Sequence, residues 1–392
     1  MDADRLIKVI VLFSLLLVGG AISAVAAGAE TTLAVRVMET RLGPSVTIEA
    51  KDPFRVSWEG GSADVKKLVL EAEGTGWLTL SLGGEEKKAV PPVTIAPLKP
   101  ATIFTVRGKA DRHRYRGGLA ASRDGGEVLL INSVGLEEYL LSVVGAELST
   151  TDREALRAQA ILCRTFALKN RKRHGAWDLC DLTHCQHYGG VETETAAGTR
   201  AVRETCGMIL TYEGVPATVF YHSSSGGMTT SPKYVWGGPD VPYLVPVPDV
   251  YAGRDLSAAS PDRTWRFVIE KGRLLAALSD AVGTRVTGLA VTERDPSGRA
   301  AKIRLIGAER EVRGEEFRIV VCRAFGWGSL KSTLFEMKEA GGNYLFDGRG
   351  LGHGVGMSQW GAVELARMGK KYREILEFYF PGTRVERVGG SQ

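Results

Sequence analysis

Cysteine is scarce in this chain, with five in 392 residues, at positions 163, 180, 185, 206 and 322. So few thiols in so long a chain exclude a dense disulfide scaffold, and the odd count leaves at least one without an intrachain partner. A single disulfide stays open, Cys206 with Cys322 being one pairing. Cys163 lies in a helical pattern and reads as a small buried hydrophobe. A strong excess of one charge is lacking as well. The formal net charge of +5 suits an acidic polymer or an anionic surface and falls short of what nucleic acid asks for. No aromatic-interleaved basic stripe, helix-turn-helix pattern or phosphate-binding P-loop occurs, nor any repeat or low-complexity tract. What is left is an ordinary globular composition, 44% hydrophobic and 24% charged. The length suffices for a main domain of substantial core plus a smaller appendage.

One long apolar run is present. Arg5 and Lys8 precede a charge-free stretch from Val9 to Ala29 that ends in small residues, Ala24-Val-Ala-Ala27. Residues 1–29 therefore read either as a signal peptide cleaved after Ala26 or Ala27, or as an uncleaved N-terminal membrane anchor, since the run is long enough to span a bilayer. Both readings export the remainder. The expected protein is extracytoplasmic, secreted or anchored to the cell membrane.

The expected fold class is α+β, with mixed strands and helices in a main domain over residues 101–385. A small β-rich subdomain is expected over 30–100 and a short tail at 386–392. Ala34-Val-Arg-Val, Ser45-Val-Thr-Ile, Lys67-Leu-Val-Leu and Leu78-Thr-Leu-Ser-Leu alternate apolar and polar residues, as half-buried strands do. Pro91-Pro92 and Pro97 to Pro100 punctuate the end of this part. Strand signals continue to residue 133, with Gly117-Gly118 and Asp124-Gly125-Gly126 as turns. Then the period changes. Leu136, Tyr139, Leu140, Val143 and Val144 fall at helical spacing, and Gly145 is the expected stop. A second helix begins with Thr151 and Glu154 as a capping box and Asp152 adding charge at its positive end. Leu156, Ala160, Cys163 and Ala167 form its inner face. Lys169, Arg171, Lys172 and Arg173 crowd its end before Gly175. Glu147 thus falls in a tight corner between two helices. A carboxylate in an apolar corner is partly desolvated and easier to protonate, although most loop carboxylates are solvated. Residues 207–335 read as strands and turns with one helix near Lys271 to Val282. The end reads as helices over Ser358 to Met368 and Tyr372 to Phe380.

Three segments carry candidate chemistry. Cys180-Asp-Leu-Thr-His184-Cys185-Gln-His187 concentrates thiols and imidazoles as no other stretch does. Thiolate with imidazole favours zinc over magnesium or calcium. Cys180, His184 and Cys185 are the candidate ligands, and a fourth would come from elsewhere, such as His187 or His222; the plain alternative is a turn with incidental thiols. His222-Ser-Ser-Ser-Gly-Gly-Met-Thr-Thr lacks the Gly-x-Ser-x-Gly elbow of a serine hydrolase and suits a loop lining a polar, sugar-sized groove. Gly348-Arg-Gly350-Leu-Gly352-His353-Gly354-Val-Gly356-Met-Ser-Gln359-Trp-Gly361 alternates glycines, which let a backbone approach a ligand or another strand closely. No βαβ unit follows it, so a dinucleotide fingerprint is a poor match. His353 reads as part of a cleft wall.

Together these segments resemble the SpoIID/LytB family of bacterial cell-wall proteins. The matching stretches are Asn132 to Glu147, Ala155 to Thr165, and Asp178 to Gly190, then Tyr221 to Gly227 with Tyr243-Leu244 and Asp249, and finally Gly350 to Ala362 with Ile375 to Thr383. They run in order over about residues 101–385. The resemblance implies a peptidoglycan lytic transglycosylase of sporulation or wall remodelling. Such an enzyme cleaves the N-acetylmuramyl–N-acetylglucosamine bond of glycan strands, preferably denuded ones, to give 1,6-anhydromuramyl ends. The family's essential acid lies in a Val-Val-x-x-Glu-Met segment. Glu147 occupies that place, with Leu148 for the methionine, a volume-conserving change. The resemblance also implies a glycan cleft lined by Gln159, Arg164, Gln186, Tyr188, His222, His353, Ser358 and Gln359. It implies zinc, structural or modulatory, on Cys180, His184 and Cys185. A SpoIIP-like amidase and a SpoIIM-like membrane protein are the implied partners. LytB-type relatives are amidase enhancers, so a non-catalytic peptidoglycan binder is a rival reading. A zinc amidase is a second rival, and it needs an open zinc position.

Overall fold

The computed structural model describes residues 31–39, 41–72, 74 and 76–388, and the expected signal peptide or anchor at 1–29 lies outside them. The described chain divides into two compact units. One runs to Thr218 and takes back the chain from Val385; the other is Val219–Arg384. Both mix helices and strands, so the α+β expectation holds. Among the described residues no helix is long and apolar enough to cross a membrane.

The first unit is built on an eleven-stranded sheet. Its strands are β1 (Thr32–Val37), β2 (Ser45–Trp58), β3 (Gly61–Glu71), β4 (Leu78–Leu82), β5 (Glu85–Ala89), β6 (Val93–Pro97), β7 (Phe104–Arg107), β8 (Arg112–Tyr115), β9 (Gly118–Asp124), β10 (Glu127–Gly135) and β11 (Leu179–Cys180). The main path runs β11-β1-β10-β9-β6-β2-β3-β4-β5, and β7 joins β2 to β8. The sequence placed a subdomain boundary near residue 100, but the sheet crosses it. Ile48 pairs with Val106 and Ile95 with Leu119. The proline-punctuated stretch expected to close the subdomain contains β6, whose Val93 and Ile95 are buried. Alternation in β1 and β4 buries Leu33, Val35 and Val37, and Leu78, Leu80 and Leu82, as a sheet with one covered face requires.

Helices α1 (Leu136–Glu147), α2 (Arg153–Lys169) and α3 (Ala196–Glu204) pack together in this unit. α1 runs through Gly145, the expected stop. A Cβ at that position would collide with the Thr193 carbonyl oxygen, so this glycine marks a close crossing and not a terminus. The expected capping box of α2 does not form. Its N-cap is Asp152, and that side chain is engaged by Thr150 Oγ1 at 2.9 Å. A small sheet of β12 (Met208–Tyr212), β13 (Val215–Pro216) and the strand Arg384–Arg387 completes the unit. The expected tail therefore begins as strand, with Thr211 Oγ1 donating to Glu386 at 2.9 Å.

The second unit contains β14 (Tyr221–His222), the hairpin β15 (Val250–Tyr251) and β16 (Arg254–Asp255), then β17 (Trp265–Glu270), β18 (Gly288–Arg294), β19 (Ala300–Ile306), β20 (Arg310–Arg313), β21 (Phe335–Ala340), β22 (Asn343–Gly348) and β23 (Met357–Ser358). Its helices are α4 (Pro232–Trp236), α5 (Lys271–Val282), α6 (Gly314–Phe325), α7 (Gln359–Arg367) and α8 (Tyr372–Tyr379). The sheets β17-β22-β21 and β18-β19-β20 share one core with α5 and α6, built on Leu274, Ile303, Phe317, Val321, Phe335 and Phe346. α6 was not expected. Its run Ile319-Val320-Val321 reads as strand by propensity, but Phe317, Val321 and Cys322 face this core at helical spacing, and packing overrides propensity. All five cysteines are free thiols. Cys322 is buried, with its Sγ on the Leu330 carbonyl at 3.3 Å, and Cys206 is exposed. Cys163 is buried as expected.

Candidate active site

Glu147 is the last residue of α1 and is half-buried. Its Oε1 accepts the backbone N–H of His187 at 2.7 Å. The corner is therefore a helix end, and one of its walls is the peptide chain of the Cys/His loop. That chain is held on both sides of His187. Tyr139 OH donates to Gln186 Oε1 at 3.2 Å, and Tyr188 OH donates to Asn132 Oδ1 at 2.7 Å. Asn132 Nδ2 in turn donates to the carbonyls of Arg116 and Gly118 at 2.8 and 2.9 Å. The two tyrosine rings lie 4.9 Å apart. Burial pushes both phenols well above the ordinary tyrosine range, so they stay protonated donors.

Four residues expected on a glycan groove lie inside the unit instead. Gln159, Arg164, Gln186 and Tyr188 are all buried. Arg164 makes a two-pronged pair with Glu137, both bonds 2.7 Å, and donates to the Met208 carbonyl at 3.0 Å. Gln159 Nε2 donates to Cys163 Sγ at 3.2 Å. Polar heads on the packed side of α2 find partners within the fold, because a buried polar group without one is costly. These residues build the frame behind Glu147.

The Cys/His loop gathers a donor set. The ligand atoms of His174, Cys180, His184 and Cys185 all lie within 4.8 Å of one another. His184 Nε2 is 3.2 Å from Cys180 Sγ, and His174 Nε2 is 3.1 Å from Cys185 Sγ. β11 pairs parallel with β1, Cys180 opposite Arg36, which fixes the first thiol. A turn closed by Cys185 N–H on the Leu182 carbonyl brings back the second. The fourth donor is His174, from the turn after α2, and neither His187 nor His222 fills that role. His187 lends its backbone to Glu147, and His222 belongs to the other unit. The signal in the sequence was a histidine just upstream of the cluster, hidden because the expected helix end absorbed it. The hydrogen bond between the thiols holds Cys185 below its ordinary value and pushes Cys180 up. The bond to Cys180 raises His184, while burial lowers His174. Two sulfurs and two ring nitrogens at these separations fit a four-coordinate zinc ion.

In the second unit, β14 and β23 pair in parallel with His222 opposite Ser358. Gly356, at φ 70°, makes this possible, since any Cβ there would run into the Phe220 carbonyl. His222 is buried. Its Nδ1 lies 3.1 Å from the Val355 carbonyl, and its Nε2 has no partner among the described residues. His353 Nδ1 accepts the Val355 N–H at 3.0 Å, and its ring sits 5.1 Å from Trp236 and 5.6 Å from His222. Burial holds His222 well below the usual histidine range and brings His353 down to about 3, so both rings are neutral. Ser358 is buried and caps α7, its Oγ accepting the Gly361 N–H at 3.3 Å; Gln359 opens that helix, also buried. The structure thus brings His222, His353 and Ser358 together. It adds Asp249, which is buried and accepts Ser225 Oγ at 2.5 Å and Tyr379 OH at 2.6 Å. Burial raises its carboxyl above the ordinary value.

A family model described as stage II sporulation protein, SpoIID, matches residues 124–212. Stage II sporulation protein D of Bacillus amyloliquefaciens is 30% identical over 283 residues, which are 65% of this chain and 75% of that protein. The chain belongs to the SpoIID/LytB family. An uncharacterized protein of Brachyspira hyodysenteriae is 27% identical over 363 residues, 90% of this chain and 92% of that one. The amidase enhancer of Bacillus subtilis is 27% identical over 278 residues, 59% of this chain and 37% of the enhancer. A second family model, a domain of unknown function (DUF8618), matches residues 264–356. In this SpoIID/LytB member the two matches divide as the structure does. The first covers Glu147 and the whole donor set; the second covers the module whose six strands and two helices share one core.

Proposed function

We propose that the chain is a peptidoglycan lytic transglycosylase with Glu147 as its single acid and base. The seating of Glu147 supports this most: a half-buried carboxylate at a helix end, fixed by one backbone N–H, inside the stretch matched by the SpoIID model. Protonated Glu147 gives its proton to the glycosidic oxygen between N-acetylmuramic acid and N-acetylglucosamine. The bond from that oxygen to muramyl C1 breaks. The carboxylate then takes the proton of the muramyl 6-hydroxyl, whose oxygen bonds to C1 and closes the anhydro ring. Glu147 ends protonated, as it began, and the second carboxylate of hydrolytic glycosidases is not required. The His187 N–H on Oε1 assigns the mobile proton to Oε2, because the N–H pairs with the carbonyl-type oxygen of a neutral acid and strengthens when the carboxylate forms. Gln186, Tyr188, Tyr139 and Asn132 hold that N–H in place.

His174, Cys180, His184 and Cys185 would hold zinc, which would supply a structural cross-link between the end of α2 and the loop behind Glu147. Four protein donors fill a tetrahedral set, and this counts against the zinc-amidase reading, which needs an open position. Export through residues 1–29 would bring the chain to peptidoglycan, with a SpoIIP-like amidase and a SpoIIM-like membrane protein as candidate partners. The likeness to an amidase enhancer supports one other reading, a wall-binding protein that does not cut. Mass spectrometry of denuded and intact glycan strands separates the two. Anhydromuramyl ends from the native chain, absent with Glu147→Gln, are expected. No such ends from the native chain, together with a stimulated amidase, would favour the enhancer.

A further inference from the structure

The end of α2 and the turn that follows it concentrate cations at one end of the large sheet. Lys169, Arg171 and Lys172 are exposed and Arg173 is half-buried. Asp178 is the acidic group set against them. It is buried, with Oδ1 taking the Lys172 N–H at 2.9 Å and forming a looser ion pair with Arg171 Nε at 3.7 Å, while Oδ2 takes the Ala34 N–H at 3.0 Å. Nearby Glu39 is paired with Arg36 at 3.5 Å, and Glu137 is occupied by Arg164. The turn therefore keeps a clear positive excess.

Strand register places the turn where the chain joins the fold. β1 and β11 are parallel, with Val35 opposite Leu179 and the Asp178 N–H on the Ala34 carbonyl at 2.8 Å. Read backwards from Asp178, the chain reaches the basic turn at the end of the sheet where β1 begins. Arg171 Nη2 donates to the Thr32 carbonyl at 3.4 Å. The Thr31 carbonyl accepts the Leu136 N–H at 2.7 Å, so the fold grips the chain from there. Only Glu30 separates Thr31 from Ala29, the last residue of the charge-free run. An extended link from Ala29 to Thr32 reaches at most about 11 Å, little more than the roughly 8 Å over which charges act at physiological salt.

We propose that the turn formed by Lys169, Arg171, Lys172 and Arg173 rests on anionic phospholipid headgroups of the bilayer that holds residues 9–29. The inference rests on the reading of that run as an uncleaved span. Guanidinium and ammonium groups suit lipid phosphates. α1 starts beside Thr31 and ends at Glu147, so a docked turn fixes how far from the membrane the candidate acid stands.

The test uses the full chain in lipid nanodiscs of phosphatidylcholine alone or mixed with phosphatidylglycerol, and reads amide hydrogen exchange across residues 168–177. Protection at least about fivefold greater in the anionic discs is expected, the scale of one cation at such a surface. It should fade at high salt and in Lys169→Gln/Lys172→Gln, whose thermal unfolding should match the native chain. Equal exchange in the two lipids overturns the surface while leaving the span intact. A chain that alkaline carbonate strips from the discs overturns the span and the proposal with it.

Discussion

His174 and His184 face thiols, whereas His353 faces aromatic rings and both His353 and His222 meet the backbone of Val355. In the loop, His184 is raised by its bond to Cys180, and four donors converge within 4.8 Å. In the second unit, burial drives both rings toward the neutral state, the Arg299 guanidinium pushes both the same way, and Phe220 and Trp236 lie against His353. The same side chain joins a thiol-rich donor set in one place and is a fixed neutral polar group in the other. What faces the ring decides this, more than how many histidines the local sequence holds. The loop also has a second task, since its backbone seats Glu147.

The sharpest way to divide the loop's chemistry from its scaffolding is Glu147→Gln. This substitution should cut release of anhydromuramyl products by at least about 10²-fold, the scale of a lost general acid. Bound zinc and thermal stability should stay unchanged. A variant that still releases these products at the native rate removes Glu147 from the mechanism.

Next in size is Cys180→Ser. It should abolish zinc stoichiometry, measured by elemental analysis, and lower the melting temperature. Activity should fall on the order of tenfold to a hundredfold, because a loosened loop misplaces the acid without removing it. His353→Gln in the second unit should leave the zinc content untouched. If both variants lose zinc equally, the two histidine regions are not the independent devices described above.

The second region should reveal itself through acid. His353 has a folded value of about 3 against 6.5 for the unfolded chain. As pH falls below 6.5 the unfolded state takes the proton first. The stabilising contribution of the neutral ring is thus fully present above 6.5 and is lost progressively toward pH 3. At pH 5 the loss from this one group is on the order of 1–2 kcal/mol. Urea unfolding of the native chain and His353→Gln at pH 7 and pH 5 measures it. The native chain should lose more stability over that interval, and parallel losses would show that His353 is not held neutral by the fold.

Periodicity made α1, α2, α5, α7 and α8 legible, and the ordered motifs made the family legible. The donor set was legible in three of its members, since Cys180, His184 and Cys185 crowd one stretch. His174 was not, because its role depends on a parallel pairing of β11 with β1 that joins residues far apart in sequence. The same holds for Arg164 and Gln159. Their spacing placed them on α2, but only the packing of α1, α3 and β12 shows that they point inward. α6 was missed because β-branched residues in a row imitate a strand. The boundary near residue 100 was misread because prolines at the ends of β6 imitate the close of a subdomain. Each miss is a case in which long-range packing outweighs a local signal.

The smallest expected effect is at His187. As a free imidazole beside two cysteines and another histidine, it was a natural fourth ligand. In the structure its side chain is exposed, its N–H serves Glu147, and His174 completes the donor set. His187→Ala keeps the N–H and removes only the ring. Zinc stoichiometry should be unchanged, and activity should stay within about twofold, as for a surface substitution away from packed features. Loss of zinc in this variant would return His187 to the ligand set and displace His174. A large loss of activity with zinc intact would instead mean that the ring itself meets the glycan, and the loop would then supply a substrate contact as well as the seat of the acid.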